Sequence, residues 1–384
     1  MPRDLGSKNH FLNIQKKLLP PAGVKSRPTV SSSCVVTRIG DSYECVMKFR
    51  QYTADLENVD KIIVDGNKCG VGLQLSHWPG NTTPVEFKAD LSLDIVLRLL
   101  ASPGFPAQLA NFNLVTNDHY DTDGLLAIWT LLNPMKSLEH APALQAAAEA
   151  GDFYEFTSPE AVQFDLIVRA FESLEKSPVA AQMPSLPDAQ RWQIATEALL
   201  AEMPSLLYEP ERYRYLWEEE YKKLQETISR VQRGSIEVYE WPAEHLSVVS
   251  SNFPLNHFMR NIAAKGHRIL ETVRTPNGNT YELYYREFLW YDIVLRSCSP
   301  KHLLLHAAET LNDLESAQAG GSWGVTRWSP ALRFVASGPR ATRVVKYDEP
   351  LGYSSLSLDT VERIILEELH ILGHQASLRA LNQP

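Results

Sequence analysis

The stretch Asn113–Pro134, NLVTNDHYDTDGLLAIWTLLNP, sets Asp118, His119, Asp121 and Asp123 within six positions between two apolar runs. Its entry reads as a strand and its exit as a helix, and the turn beyond a strand's carboxyl end is where open α/β sheets gather ligands. If HYDTD is extended, alternation sends His119, Asp121 and Asp123 to one face and Asp118 and Tyr120 to the other. One imidazole and two carboxylates on a face make a hard to borderline metal site suited to manganese, iron or magnesium. Without a cation those carboxylates repel one another, and buried ionised groups persist only when paired or metal-bound. An EF-hand is excluded: aligning Gly124 with its invariant glycine puts Thr130 at the twelfth position, where glutamate is required.

Working outward, DKIIVDG (60–66) and GVGLQLSHWPG (70–80) share the same plan, an apolar run entering a polar, glycine-containing turn. Asp65 and His77 are therefore expected to converge with the 118–123 cluster. Helical patterns alternate with these strands: LSLDIVLRLLAS, GLLAIWTLL, ALQAAAEAG and SPEAVQFDLIVRAFESLEK. Thr157 stands three residues before Glu160, a capping-box spacing, with Pro159 in the first turn. Gly151 reads as a helix stop, which puts Asp152 in the turn after it. Segment 185–234 is mostly helical, with breaks at Pro204 and Pro210 and a stop at Gly234.

At 384 residues, two domains are expected. The reading is an N-terminal arm and β-hairpin over 1–50, an α/β metal-binding domain with a helical bridge over 51–234, and an α+β domain over 235–384. The fold class is thus α/β, a mainly parallel sheet with flanking helices plus a C-terminal α+β domain. Short β-rich runs from residue 235 onward, among them SIEVYEW, HRILETV and TYELYYREF, carry the last assignment. GGSWG at 320–324 is a candidate lid or anion cradle.

Net charge is −9 and no dense Lys/Arg tract occurs, so duplex nucleic acid is not an expected partner. The apolar stretches fall short of the roughly 20 residues that span a bilayer. The N-terminus has no continuous apolar core of a signal peptide, which places the chain in the cytoplasm. Cys34, Cys45, Cys69 and Cys298 lack metal or disulfide spacing. No phosphate-binding glycine loop and no G-x-S-x-G elbow is found. A metal-activated water acting on a small molecule is the remaining catalytic device, and a homodimer stays open.

The pattern H-x-D-x-D-G-L, entered from a strand and left into a helix, resembles the first metal motif of the DHH phosphoesterase superfamily. That resemblance implies divalent ions, most often manganese, held by His119, Asp121 and Asp123, polarising a phosphoryl group and activating water. IIVDG is similar to the superfamily's single-aspartate motif and suggests Asp65; AEAGDF is similar to its late segment and suggests Asp152. The Asp-His-His triplet is absent; LSHWPGN, with His77, is its nearest substitute. Asp65 and His77 also precede the first motif, so a single ion is the expectation.

The chain also resembles an uncharacterised bacterial family carrying VDG, LSHWPG-x-x-TP, N-x-H-x-D-x-D-G-L and A-x-A-G-D-F in this order, over roughly residues 60–340. The expected roles are His119, Asp121 and Asp123 as principal ligands, and Asp65, His77 and Asp152 as completing ones. Asp118 is an orienter of His119 or a base, and His77 a second candidate for the chemistry. The expected activity is hydrolysis of a phosphoester or phosphoanhydride. An iron-dependent redox or rearrangement enzyme and a non-catalytic ligand-binding protein are the alternatives.

Overall fold

The computed structural model describes residues 47–316, 319–326, 331–336, 343–346 and 348–381, together with two short strands at 37–39 and 42–44. Those strands, β1 (Thr37–Ile39) and β2 (Ser42–Glu44), pair antiparallel, as a hairpin should. Of the rest of the expected 1–50 arm, residues 47–50 are described and join the sheet that follows, while the remainder, with Cys34 and Cys45, lies outside the described residues.

Next come β3 (Lys48–Phe49), β4 (Ile62–Val64), β5 (Leu73–Leu75) and β6 (Leu114–Thr116). They form a four-stranded sheet of order β3-β6-β4-β5, every pairing parallel. β4 and β6 are buried throughout, which is why they read as unbroken apolar runs. Against the sheet pack α1 (Ser92–Ala101) and α3 (Thr122–Leu132), while α2 (Phe105–Leu109) is a short connector. Ile62, Val64, Leu75, Ile95, Leu99, Val115, Ile128 and Leu131 fill the space between.

Helices α4 (Pro134–Phe153), α5 (Pro159–Glu172), α6 (Asp188–Tyr208) and α7 (Arg214–Gln232) follow. Helix α5 begins one residue later than the capping-box reading: Ser158 is the cap, accepting from Ala161 N at 3.1 Å, and Pro159 takes the first helical position. Thr157 instead donates to Ala146 O at 3.0 Å. Pro204 does not break α6, which runs through it, whereas Pro210 follows the helix end. Gly151 is no stop either: α4 continues through it to Tyr154, which takes the left-handed cap conformation. A Cβ on Gly151 would lie 2.6 Å from Thr122 Cβ, so this glycine serves the close approach of α4 to α3.

The remaining strands are β7 (Glu237–Trp241), β8 (Leu246–Ser251), β9 (Arg268–Thr275), β10 (Gly278–Tyr285), β11 (Ser322–Thr326), β12 (Leu332–Val335) and β13 (Arg343–Val345). Their order is β13-β11-β12-β10-β9-β8-β7, parallel at β8–β9 and β11–β13 and otherwise antiparallel. With α8 (His257–Ala263), α9 (Leu305–Leu314) and α10 (Leu358–Leu381), this is mixed α and β structure. The parallel sheet is the smaller of the two large ones. GGSWG is no lid, because Trp323 is a fully buried core residue on β11. One apolar cluster runs from Leu91 of the first half through α4–α7 to Leu369 of α10. No helix among the described residues is long and apolar enough to cross a membrane.

Candidate metal centre

Three strand ends deliver the site. Asp65 is the first residue after β4 and takes a left-handed backbone, φ 51°, which an aspartate tolerates better than a branched residue. His77 follows β5 by two residues, and the 117–121 turn leaves β6. Asp152 arrives from the last turn of α4. Asp65 and His77 lie with residues of the 118–123 cluster, as the strand-end reading expects, and Asp152 joins them.

The HYDTD stretch, however, is not extended. Asp121 is the N-cap of α3, its Oδ1 accepting from Gly124 N at 2.8 Å, and Asp123 lies in the first helical turn. Aspartate at this position competes for backbone N–H groups, so capping replaces strand alternation. His119, Asp121 and Asp123 therefore do not share a face. They divide between two groups, Asp65–His77–Asp123–Asp152 and Asp65–His119–Asp121, in each of which one ligand atom per residue lies within 4.8 Å of the others.

Asp65 belongs to both. Its Oδ1 faces His77 Nε2 at 3.2 Å and its Oδ2 faces His119 Nε2 at 3.1 Å. Ser92 Oγ, at the start of α1, donates to Oδ1 at 2.7 Å. The inner group is sealed: the side chains of Asp65, His77 and Asp123 are 0% exposed and that of Asp152 is 2% exposed. The outer group is open, with His119 27% and Asp121 26% exposed.

Each imidazole is held at its Nδ1. His77 Nδ1 donates to Asp90 O at 2.6 Å, which turns Nε2 toward Asp152 Oδ2 at 3.1 Å and Asp123 Oδ2 at 3.9 Å. His119 Nδ1 bonds Asp118 Oδ1 at 2.8 Å, and its Nε2 meets Asp121 Oδ2 at 2.7 Å. Asp118 Oδ2 also accepts from the backbone of Asn67 and Lys68 at 3.2 and 3.3 Å. A carboxylate or carbonyl on one ring nitrogen with the other presented inward is the arrangement that orients metal-binding histidines.

Asp123 has a second employment: its two oxygens accept from Ser92 N at 2.6 Å and Leu93 N at 2.9 Å, capping α1.

The electrostatics are those of a centre short of positive charge. Burial and the charge of Asp121 push the Asp152 carboxyl up to about 7. Burial, then Asp152 and Asp65, hold that of Asp123 well above the usual carboxylate range, and burial with the Asp65 charge raises Asp121. Burial opposes charge on Asp65 too, but contacts with His119 and His77 outweigh it and lower its pKa. Burial likewise disfavours both imidazolium ions. At His77 it is overcome by Asp152 and Asp65, and at His119 by Asp121 and Asp118, so both rise well above the ordinary value. Five carboxylates, Asp118 included, thus face two imidazoles. Three buried atoms, His77 Nε2, Asp65 Oδ2 and Asp152 Oδ2, make ion-pair contacts at 3.1–3.2 Å but no hydrogen bond among the described residues. This donor set, all imidazole nitrogen and carboxylate oxygen, can hold divalent cations.

Residues missed by the sequence reading also stand here. Ser92 and Asp90 hide in the ordinary start of α1. Tyr291, whose ring stacks on His77 at 4.0 Å, is too remote in the chain for any local pattern to reveal.

Comparison with known proteins places this geometry in a family. The chain belongs to DUF6687, a family of unknown function, matched over residues 46–377. No curated protein matches it. Among solved structures it is similar to PggH, a pGpG-specific phosphodiesterase from Vibrio cholerae, over 68% of this chain and 80% of that one. The identity there is 10% and the TM-score 0.33.

Proposed function

We propose that the protein is a metal-dependent hydrolase of a phosphoester or phosphoanhydride bond in a small molecule, built on two divalent ions that share Asp65. The observation that carries this reading is the pair of donor groups meeting at one carboxylate, with buried inward nitrogen and oxygen atoms lacking hydrogen-bond partners among the described residues. Buried polar atoms without a hydrogen bond are costly and crowded carboxylates repel one another, and a cation here would relieve both. The two groups are the reason for reading two ions here where the sequence suggested one. The motif resemblance to DHH phosphoesterases supports the choice of substrate bond.

In this reading His77, Asp123 and Asp152 hold the inner ion, His119 and Asp121 the outer, and Asp65 both. Manganese fits the mixed imidazole and carboxylate set, with iron or magnesium as substitutes. Divalent ions held by these residues would supply the polarisation of a phosphoryl group and the activation of water. Asp118 acts as the orienter of His119; with Oδ1 on the imidazole and Oδ2 on two N–H groups, it is poorly placed as a base. His77 is a holding residue, because its ring is enclosed and its Nδ1 is engaged. Ser92 holds the Asp65 carboxylate in the shared orientation. Substrate reaches the centre from the His119–Asp121 side, where the side chains are exposed.

The test is a panel of generic phosphodiesters, pyrophosphate and mononucleotides, assayed with manganese, magnesium or cobalt, with Asp121→Ala as the blank. Metal-dependent release that is lost in the blank is expected. No release from any substrate, or release that survives in the blank, overturns the hydrolase reading.

A further inference from the structure

Segment 291–296 follows β10 of the seven-stranded sheet, yet it lies on the metal-centre side of the molecule. Asp292 N donates to His77 O at 2.7 Å, and Asn81 Nδ2 donates to Asp292 Oδ2 at 2.8 Å. Farther along, the backbone N–H groups of Val294, Leu295 and Arg296 all donate to the Asp90 carboxylate, at 2.7, 2.7 and 3.0 Å. Asp90 uses its own carbonyl to accept from His77 Nδ1. A single residue therefore joins the segment to the imidazole.

Tyr291 makes the other connection. Its ring is stacked on that of His77, centroids 4.0 Å apart and planes 16° apart. Trp78 meets the same phenol edge-on at 5.1 Å, and Phe153 lies at 5.8 Å. An imidazole can be misplaced in two ways, by carrying its proton on the wrong nitrogen or by rotating about its ring bond. Asp90 O settles the first, and the Tyr291 stack opposes the second.

We propose that Asp90 and Tyr291 are positioning residues for His77: a strap supplied from the second sheet holds the imidazole with Nε2 aimed at the inner group. The proposal deepens the metal-centre reading and rests on it. It predicts an asymmetry between the two ions, because the strap stacks directly on the imidazole of the inner group and reaches that of the outer group through Trp78, whose ring meets both Tyr291 and His119.

The experiment is a cobalt titration of the metal-free full-length chain, followed by visible absorption, for the wild type, His77→Ala, Tyr291→Phe, Tyr291→Ala, Tyr291→Leu and Asp90→Asn. Loss of an orienting partner typically weakens metal affinity by roughly 10–100-fold. Tyr291→Ala is expected to weaken by that factor the binding event that His77→Ala abolishes; Asp90→Asn, which keeps the carbonyl on Nδ1 but loosens the 294–296 anchor, is expected to weaken the same event; and both leave the other event and its spectrum unchanged. Tyr291→Phe, which keeps the stack, is expected to bind both ions as the wild type does. Both affinities unchanged in Tyr291→Ala with a native far-ultraviolet spectrum would overturn the proposal. If that variant does not fold, Tyr291→Leu and Asp90→Asn decide by the same criterion. A wild type that binds no cobalt overturns the metal reading itself and the strap with it. A wild type that binds two ions, one of them lost in His77→Ala, leaves only the strap at issue.

Discussion

Asp65 carries the largest share of the site for a single side chain, since its two oxygens face two different imidazoles. Asparagine tolerates the same left-handed backbone but cannot supply the charge. Asp65→Asn is therefore expected to lose both ions, and Asp121→Asn one, in elemental analysis of otherwise folded protein; equal losses in the two would contradict the sharing. A second residue acts on stability alone. Lys61 is fully buried, and its Nζ donates to the carbonyls of Leu56, Val59 and Val71 at 2.7, 2.9 and 2.9 Å. Those bonds close the loops on either side of β4. Lys61→Met keeps the apolar stem but takes the ammonium away from the Val59 and Val71 carbonyls, while Leu56 O still accepts from Val59 N at 3.1 Å. Urea unfolding should show a loss of roughly 1–3 kcal/mol, the cost of a buried polar group losing its partner.

Among elements, the contact of α3 with α4 matters most, because it sets Asp152 against the strand ends. Gly151→Ala gains about 1 kcal/mol of helix propensity. It also forces a Cβ to within 2.6 Å of Thr122 Cβ and 3.2 Å of Asp165 Oδ1. Thr122 is β-branched and held to Asp165 at 2.7 Å, so it cannot turn aside cheaply. Overpacking, typically 1–3 kcal/mol, outweighs the propensity gain. Thermal unfolding should show a net loss, and the inner ion should bind more weakly because Asp152 moves with the helix. Asp123 is an element-scale residue too: removing it uncaps α1 as well as the inner group, so metal loss in Asp123→Ala would come with lost stability.

At the scale of the whole molecule, the second sheet has its own buried carboxylate. Glu315 accepts from Ser354 Oγ at 2.6 Å, Ser355 N at 2.8 Å and Trp323 Nε1 at 3.2 Å, joining the end of α9, β11 and the approach to α10. Burial alone would raise its pKa, but these hydrogen bonds outweigh burial and hold it below the usual range. The folded state then binds fewer protons than the unfolded one in acid. The stabilisation is complete above the unfolded glutamate value of about 4.3 and is lost as pH falls through the lower folded value. Glu315→Gln should flatten the acid limb of melting temperature against pH, leaving a uniform loss at neutral pH; an unchanged limb would refute the linkage.

The alternation of strand and turn was legible in IIVDG, LQLSHWPG and NLVTNDHYDTDG, because strands buried on both faces must be continuously apolar and their exits must be polar. The ligand chemistry was legible for the same reason, as acidic and imidazole groups beside apolar runs. Nearest-neighbour patterns could not say that Asp121 would cap a helix, since capping and strand alternation draw on the same residues and only the competition for backbone N–H groups decides between them. Nor could they show Asp65 facing two ways, Asp90 receiving three N–H groups from residues some 200 positions away, or Tyr291 lying on His77. The sequence by itself determined which residues could bind a cation. Which of them meet, and in how many groups, was decided by the tertiary structure, because side chains distant in the chain approach only where strand order and helix packing carry them.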